Sequence, residues 1–180
     1  MLHFHVEEVL DRRVAGQRFV LAGKMKPGQS CRGSQGVQIA ERALQQAAYY
    51  AKERVQSSRA GSPDRTPVAI IEHPDVRRML LRMKSLTEAM RSLLYYTSGQ
   101  VDRGTLGDDA AGLRGDVLVP MIKAWGTDTG IDVTSIGVQI HGGMGFVEET
   151  GAAQHWRDSR IAPIYEGTNG IQAADLVTRK

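Results

Sequence analysis

Apolar residues recur at three- and four-residue steps in three long stretches, a spacing that places them on one face of an α-helix. The first stretch runs from Gly36 to Gln56, the second begins near Pro74, and the third runs from Gly115 or Pro120 to Ile140. The predicted buried positions are Ala40, Ala43, Leu44, Ala47, Ala48, Ala51 and Val55 in the first helix, Val76, Met79, Leu80, Met83, Leu86, Met90, Leu93, Leu94 and Thr97 in the second, and Val117, Met121, Ala124, Trp125, Thr129, Val133, Ile136 and Ile140 in the third.

Glycine, proline and small polar residues separate these stretches and predict loops. The predicted loops are 24–33, 57–67 and 99–115, the third helix stops at Gly142–Gly145, and short helices follow at Gly151–Asp158 and Ile171–Arg179. Gly126, Gly130 and Gly137 weaken the third helix and are either needed for close contact or merely tolerated. We predict an all-α fold, an antiparallel up-down helical bundle.

Composition and charge exclude several classes of function. The 180 residues carry a net charge of +3 from 23 basic and 20 acidic side chains that are interspersed, which argues against a nucleic-acid partner. Cys31 is the single cysteine, so no internal disulfide forms and no zinc-binding spacing exists. The sequence has neither a signal peptide nor a run long enough to cross a membrane, and we expect a cytoplasmic protein.

One carboxylate stands alone near the C-terminus. Glu166 follows Tyr165 and precedes Gly167, and the nearest acids are Asp158 and Asp175. A solitary carboxylate beside glycine suits a general base better than a metal site, because hard cations need several oxygen ligands.

Three blocks around this glutamate resemble the C-terminal signature of the acyl-CoA dehydrogenases. They are Gln139–Phe146, Arg157–Ile161 and Ile164–Gln172. The segments His73–Leu80 and Glu148–His155 are similar to a long-chain-length branch that includes enzymes acting on 3-methylthiopropanoyl-CoA. Three blocks in order make a far stronger signal than one glycine motif.

The resemblance covers residues 35–180 and implies the C-terminal helical bundle of that family. Residues 1–34 match poorly, which we interpret as a truncated gene or a reading frame shifted upstream of Gln35. The family's other domains hold much of the flavin and substrate pocket. The resemblance implies FAD-dependent α,β-dehydrogenation of an acyl-CoA, with electrons passed to an electron-transfer flavoprotein, by a homodimer or homotetramer.

The resemblance also assigns residue roles. Glu166 is the expected catalytic base and Gly167 lies beside the substrate. The residues expected at the cofactor are Arg54, Gln139, Ile140, His141, Gly142, Gly143, Thr168, Asn169 and Gly170.

Some of these roles compete with plainer ones. Arg54 would pair with an FAD phosphate or be a solvated residue at a helix end, and Thr168 would contact flavin or cap the last helix. The side chain of His141 is expected to pack rather than bind. This chain departs from the family pattern at Ser57 and Ser58, where an aromatic residue and glycine are usual, and at Arg77, where a glutamine is usual.

The neighbouring segment is expected to support the fold. Arg157, Asp158 and Arg160 are predicted to hold the turn before Glu166 by an Arg–Asp pairing, and Trp156 is predicted to lie in the core.

The sequence leaves two other classes of function open. One is a non-catalytic helical remnant or oligomerisation domain. The other is DNA binding, known in a DNA-alkylation-response relative and disfavoured by the weak net charge.

Overall fold

A computed structural model of the chain describes residues 29–165 and 167–179. The long helices are α1 (Gln29–Glu53), α2 (Pro74–Thr105) and α3 (Asp109–His141). A hairpin of β1 (Val55–Ser58) and β2 (Pro67–Ala69) and a 3-10 turn (Ile70–Glu72) connect α1 to α2. After α3 come α4 (Gly143–Phe146), a 3-10 turn (Glu148–Thr150), α5 (Ala152–Ser159) and α6 (Asn169–Arg179).

The three long helices form the up-down bundle that the sequence predicts. Helix α2 is antiparallel to α3, since Val101 lies against Gly115 at one end and Met83 against Gly137 further along. Helices α1 and α3 are parallel and very close. A Cβ atom on Gly36 would lie 2.4 Å from the carbonyl oxygen of Gly126, and Gly130 faces the backbone of Gly36. The glycines of α3 therefore serve close contact.

The apolar faces predicted for the first two helices form the core. The most deeply buried of these side chains are Ala40, Ala47, Ala51, Leu80, Met83 and Met90. Val55 is an exception, because it is exposed in β1. At the edge of the core, Arg91 contacts Glu41 at 2.6 Å and ties α2 to α1.

Several predicted boundaries are wrong. Helix α1 already includes residues 29–33, and the hairpin occupies part of the predicted loop and helix end. The predicted loop 99–115 is almost entirely helical. A short link joins α2 to α3, where the Asp108 carboxylate accepts a hydrogen bond from the Ala111 backbone N–H at 2.9 Å and caps α3. Gly104 in α2 and Gly112 in α3 allow the two helices to approach closely, since a Cβ on Gly104 would lie 2.6 Å from the Cα of Gly112.

The face predicted for α3 is wrong at its N-terminal half. Val117, Met121 and Trp125 are exposed. The buried row consists instead of Pro120, Lys123, Thr127, Gly130, Thr134, Gly137 and His141. In this row, Gly130 and Gly137 allow close contact with α1 and α2. Lys123 and Thr127 are hydrogen-bonded to Asn169, and Thr134 is hydrogen-bonded to Ser159.

The predicted N-terminal segment 1–34 lies mostly outside the described residues, as does the first part of the predicted loop 24–33. Within the described part of the chain, no helix is long and apolar enough to span a membrane.

Candidate functional site

The segment Pro163–Asn169, here called the base turn, connects α5 to α6. Pro163 is buried, Ile164 is exposed, and the Tyr165 hydroxyl donates a hydrogen bond to the Gln35 side chain. The backbone N–H of Asn169 donates to the carbonyl oxygen of Pro163 at 3.1 Å and closes the turn. The predicted base, Glu166, lies outside the described residues, so the residues on both sides of it define this part of the site.

A buried lysine lies beneath the base turn. Lys123 in α3 is 0% exposed. Its Nζ donates hydrogen bonds to the Gly167 carbonyl oxygen at 2.7 Å and to Asn169 Oδ1 at 2.8 Å. The carbonyl oxygen of Pro163 lies at 3.4 Å from the same atom. A buried charge is tolerated when hydrogen bonds replace water, and these oxygens supply them.

The Asn169 side chain continues this network into α3. Its Nδ2 donates to Asp128 Oδ1 at 2.8 Å and to the Ala124 carbonyl oxygen at 3.2 Å, while its Oδ1 accepts from Lys123. Thr168 and Gly170 on either side are exposed. Within the predicted cofactor-contacting turn, the Asn169 amide is thus engaged with the protein, whereas its two neighbours face outward.

The second predicted segment, Gln139–Gly145, is here called the glycine turn. Gly142 has φ +59° and ψ −137° and its N–H donates to the Gln139 carbonyl oxygen at 3.1 Å, which ends α3. A Cβ on Gly145 would lie 2.2 Å from the Val138 carbonyl oxygen, whereas one on Gly143 would meet nothing within 4 Å. The fold therefore explains glycine at positions 142 and 145 and leaves Gly143 open to close approach from outside.

The inner side of the glycine turn packs into the bundle. Ile140 and His141 are buried, and the His141 ring stacks on Tyr50 with centroids 4.4 Å apart. His141 Nδ1 donates to the Gly137 carbonyl oxygen at 2.8 Å. His141 is therefore a packing residue, as predicted. On α5, burial lowers the pKa of His155, and the nearby Arg42 guanidinium lowers that pKa further.

The outer side of the glycine turn borders positive charge. Gln139 lines a surface cleft of about 390 Å³ together with Arg78, Arg82 and Asp132, and Arg78 also pairs with Asp75 at 2.7 Å. A neighbouring cleft shares Arg78 and adds Arg59 and Arg77. Guanidinium groups beside an open glycine backbone suit a phosphate-bearing ligand.

Arg54 lies at the same end of the bundle as the glycine turn. It is exposed one turn after Tyr50, which contacts His141. The carbonyl oxygen of Arg54 accepts a hydrogen bond from the Ile70 N–H at 2.8 Å at the start of the hairpin. In the hairpin, Ser57 adopts φ +58°, a conformation that glycine adopts more easily.

The structure keeps the base turn and the glycine turn apart. Because an α-helix rises about 1.5 Å per residue, Lys123 and Gln139 lie on the order of 24 Å apart along α3. The predicted residues therefore form two groups, one around the base turn and one that unites Arg54 with the glycine turn. A small ligand cannot touch both groups, whereas an extended ligand or two separate ligands can.

Two supporting predictions differ from the structure. Trp156 is 43% exposed rather than in the core. In the described part of the chain, Arg157 and Asp158 are linked through Gln154, which accepts from Arg157 at 2.8 Å and donates to Asp158 at 2.6 Å. Short α5 has one buried face, so a large side chain on its outer face stays at the surface. No three His, Cys, Asp or Glu side chains in the described ranges are grouped to hold a metal ion.

Comparison with known proteins decides the family. The family model described as "Acyl-CoA dehydrogenase, C-terminal domain" matches residues 16–180. The chain belongs to this family. A 3-methylmercaptopropionyl-CoA dehydrogenase of Ruegeria pomeroyi is 53% identical over 152 residues, which cover 82% of this chain and 26% of that protein.

Solved structures agree with the acyl-CoA dehydrogenase assignment. Butyryl-CoA dehydrogenase from Megasphaera elsdenii matches with a TM-score of 0.68 and 32% identity, over 83% of this chain and 34% of that one. A structure described as an electron transferring flavoprotein of Acidaminococcus fermentans matches with a TM-score of 0.68 and 26% identity, over 84% of this chain and 36% of that one. This acyl-CoA dehydrogenase domain thus spans about a quarter to a third of the proteins it matches.

Lys123 was missed by sequence reasoning about this acyl-CoA dehydrogenase domain. The signal was present, because Lys123 keeps a three- and four-residue spacing with Pro120, Thr127 and Gly130. A lysine in phase with a row of small residues indicates a buried cation that must find oxygen partners.

Proposed function

We propose that this chain is the C-terminal part of an FAD-dependent acyl-CoA dehydrogenase, with Glu166 as the base that removes the α-proton of the thioester. The observation that carries the proposal is the anchoring of Gly167 and Asn169, directly after position 166, to Lys123, whose Nζ also lies 3.4 Å from the Pro163 carbonyl oxygen before that position. A base must be held in a fixed position to take a proton from carbon, and a turn bonded to a buried side chain provides such a position.

The residues at the other end of the bundle support a site for FAD. Gly143 leaves backbone open to a ligand, and Arg78 and Arg82 line the cleft beside Gln139. We propose that Arg54, Gln139, Ile140, His141, Gly142 and Gly143 border the phosphate-bearing half of FAD, Ile140 and His141 through their backbone. Thr168, Asn169 and Gly170 would border the flavin half, with Gly167 beside the substrate. Bound FAD would supply the hydride acceptor.

The separation of the two groups supports a homo-oligomer. Since the base turn and the glycine turn lie far apart on one helix, the two groups would serve different FAD molecules shared between subunits. The acyl group we propose is a short one such as 3-methylmercaptopropionyl, the substrate named for the Ruegeria pomeroyi relative. An electron-transfer flavoprotein would accept the electrons, and we propose a cytoplasmic location.

One observation favours a non-catalytic role instead. Leu113, Val117, Met121 and Trp125 follow one another at four-residue steps on α3, and all four are exposed. Such a row suits contact with another protein surface. If protein contact were the whole role of the chain, we would expect it to bind neither flavin nor acyl-CoA.

Flavin bleaching tests the proposal. The chain replaces the matching segment of the Ruegeria pomeroyi relative, so that the other domains are present, and 3-methylmercaptopropionyl-CoA or butyryl-CoA is added while the visible absorbance of oxidised flavin is followed. We expect wild-type protein to bleach, and Glu166→Gln to bind FAD equally but bleach at least about 10²-fold more slowly, the usual size of a lost general base. Glu149→Gln, at an exposed glutamate elsewhere, is the control and should bleach normally. A complete protein carrying this chain that binds no flavin would favour the non-catalytic role.

A further inference from the structure

Lys123 makes bonds on both sides of position 166. Pro163 precedes that position, and Gly167 and Asn169 follow it, and each places an oxygen near Nζ. An ammonium has three hydrogens to donate, so these oxygens match its donors. The base turn also closes on itself through the bond from Asn169 N–H to the Pro163 carbonyl oxygen. Lys123 therefore clamps a closed turn by two short hydrogen bonds, at Gly167 and Asn169, and by a longer contact at Pro163.

We propose that Lys123 is the positioning residue that holds the base turn against α3 through its buried ammonium group. The inference rests on the proposed function for the role of Glu166, but the clamp itself does not need flavin or substrate. A positioning residue acts through another group, so replacing it should displace that group. Here the displaced group would be residue 166.

A simple space-filling role makes a different prediction. Lys123 is among the largest fully buried side chains, so its aliphatic stem also packs the core. A methionine has nearly the same length and shape and would preserve packing. If only volume matters, Lys123→Met should leave the base turn in place. If the ammonium matters, the base turn should detach while the core stays intact.

Amide hydrogen exchange in the complete 180-residue chain separates these cases. In Lys123→Met, we expect the amides of residues 164–172 to exchange at least about tenfold faster, because hydrogen bonds to a charged group are lost. The core amides of residues 79–97 should keep their protection. Val133→Ala is the matched control, since Val133 is 0% exposed on the same helix and the variant loses packing without touching the turn.

A second variant guards against a misfolded Lys123→Met. Asn169→Ala removes one acceptor from the opposite side and leaves the lysine in place, and it should also release residues 164–168. A rescue experiment adds propylammonium to Lys123→Ala, which restores the missing carbons and the ammonium. Protection of the base turn should return with propylammonium and not with n-propanol at the same concentration.

Two results would overturn the clamp. The first is unchanged protection of the base turn in both Lys123→Met and Asn169→Ala. The second is a loss of protection in the base turn that is matched by an equal loss in the core amides of residues 79–97. With flavin bound, Lys123→Met should slow bleaching about 10²-fold at saturating acyl-CoA without changing the half-saturating concentration, as expected for a displaced group. If the wild-type chain never bleaches, the proposed function fails, while the exchange data still decide the clamp.

Discussion

The base turn lies beside α3 and the glycine turn includes the C-terminal end of α3, yet the protein holds them in opposite ways. The base turn is fixed by side chains, with Lys123 and Asn169 making a buried network beneath it. The glycine turn is fixed by its backbone, with Gly142 at φ +59° and Gly145 pressed against Val138. The outer residue Gln139 makes no side-chain hydrogen bond to any described residue.

This difference matches two kinds of task. A catalytic carboxylate needs one position, and a side-chain network that loses several bonds when it opens enforces that position. A surface that receives a phosphate-bearing ligand needs exposed donors and close backbone, which glycine provides without filling space. The buried polar network thus lies under the base turn, where we place the chemistry, whereas the glycine turn at the other end of α3 is left open for a ligand.

The largest expected effect tests this contrast directly. Lys123→Met should lower the free energy of opening the base turn by about 3 kcal/mol, because hydrogen bonds to a buried charged group are lost. Gln139→Ala should change the free energy of opening the glycine turn by less than about 0.5 kcal/mol, as usual for an exposed side chain. Amide hydrogen exchange of the two turns measures both free energies. Equal losses in the two variants would contradict the contrast.

The contrast can be sharpened within the glycine turn. Gly145→Ala should cost about 2 kcal/mol of unfolding free energy, because its Cβ would overlap the Val138 carbonyl oxygen. Gly143→Ala should stay within about 0.5 kcal/mol, since its Cβ meets nothing within 4 Å. Thermal or urea unfolding gives both values.

The same pair reports on the proposed cofactor. If FAD lies against Gly143, Gly143→Ala should weaken FAD binding at least about tenfold while stability stays unchanged, because a methyl group would enter the ligand's space. Titration of flavin fluorescence measures this. Unchanged affinity in a stable Gly143→Ala protein would remove Gly143 from the cofactor site.

The helical bundle could be read from the sequence because its signals are periodic. The faces of α1 and α2 repeat large or small apolar residues at helical spacing, and both faces are buried. The same rule failed for α3, because its buried row includes Gly130, Thr127 and Lys123, whereas Trp125 is exposed. Apolar periodicity finds faces that bury large side chains and fails where close packing demands small ones.

The predicted site residues came from linked motifs rather than from periodicity. Motifs name the residues that touch ligands, but they do not reveal how those residues are held. The network of Lys123 and Asn169 depends on a hydrogen bond of 2.8 Å between residues 46 positions apart in the sequence. The distance between the two turns was also not predictable, because it depends on the base turn packing at Lys123, near the start of the predicted third helix.

The smallest expected effect concerns Thr168, the outward residue of the base turn. Its Oγ1 accepts a hydrogen bond from the Ile171 N–H at 3.4 Å, a long bond that caps α6 weakly. Thr168→Ala should therefore cost about 0.5 kcal/mol of unfolding free energy, the low end for a lost cap, and Thr168→Ser should cost less. If capping is its whole role, the visible spectrum of bound flavin will be the same in all three proteins. A spectrum that shifts in Thr168→Ala and not in Thr168→Ser would show that the hydroxyl also contacts the cofactor.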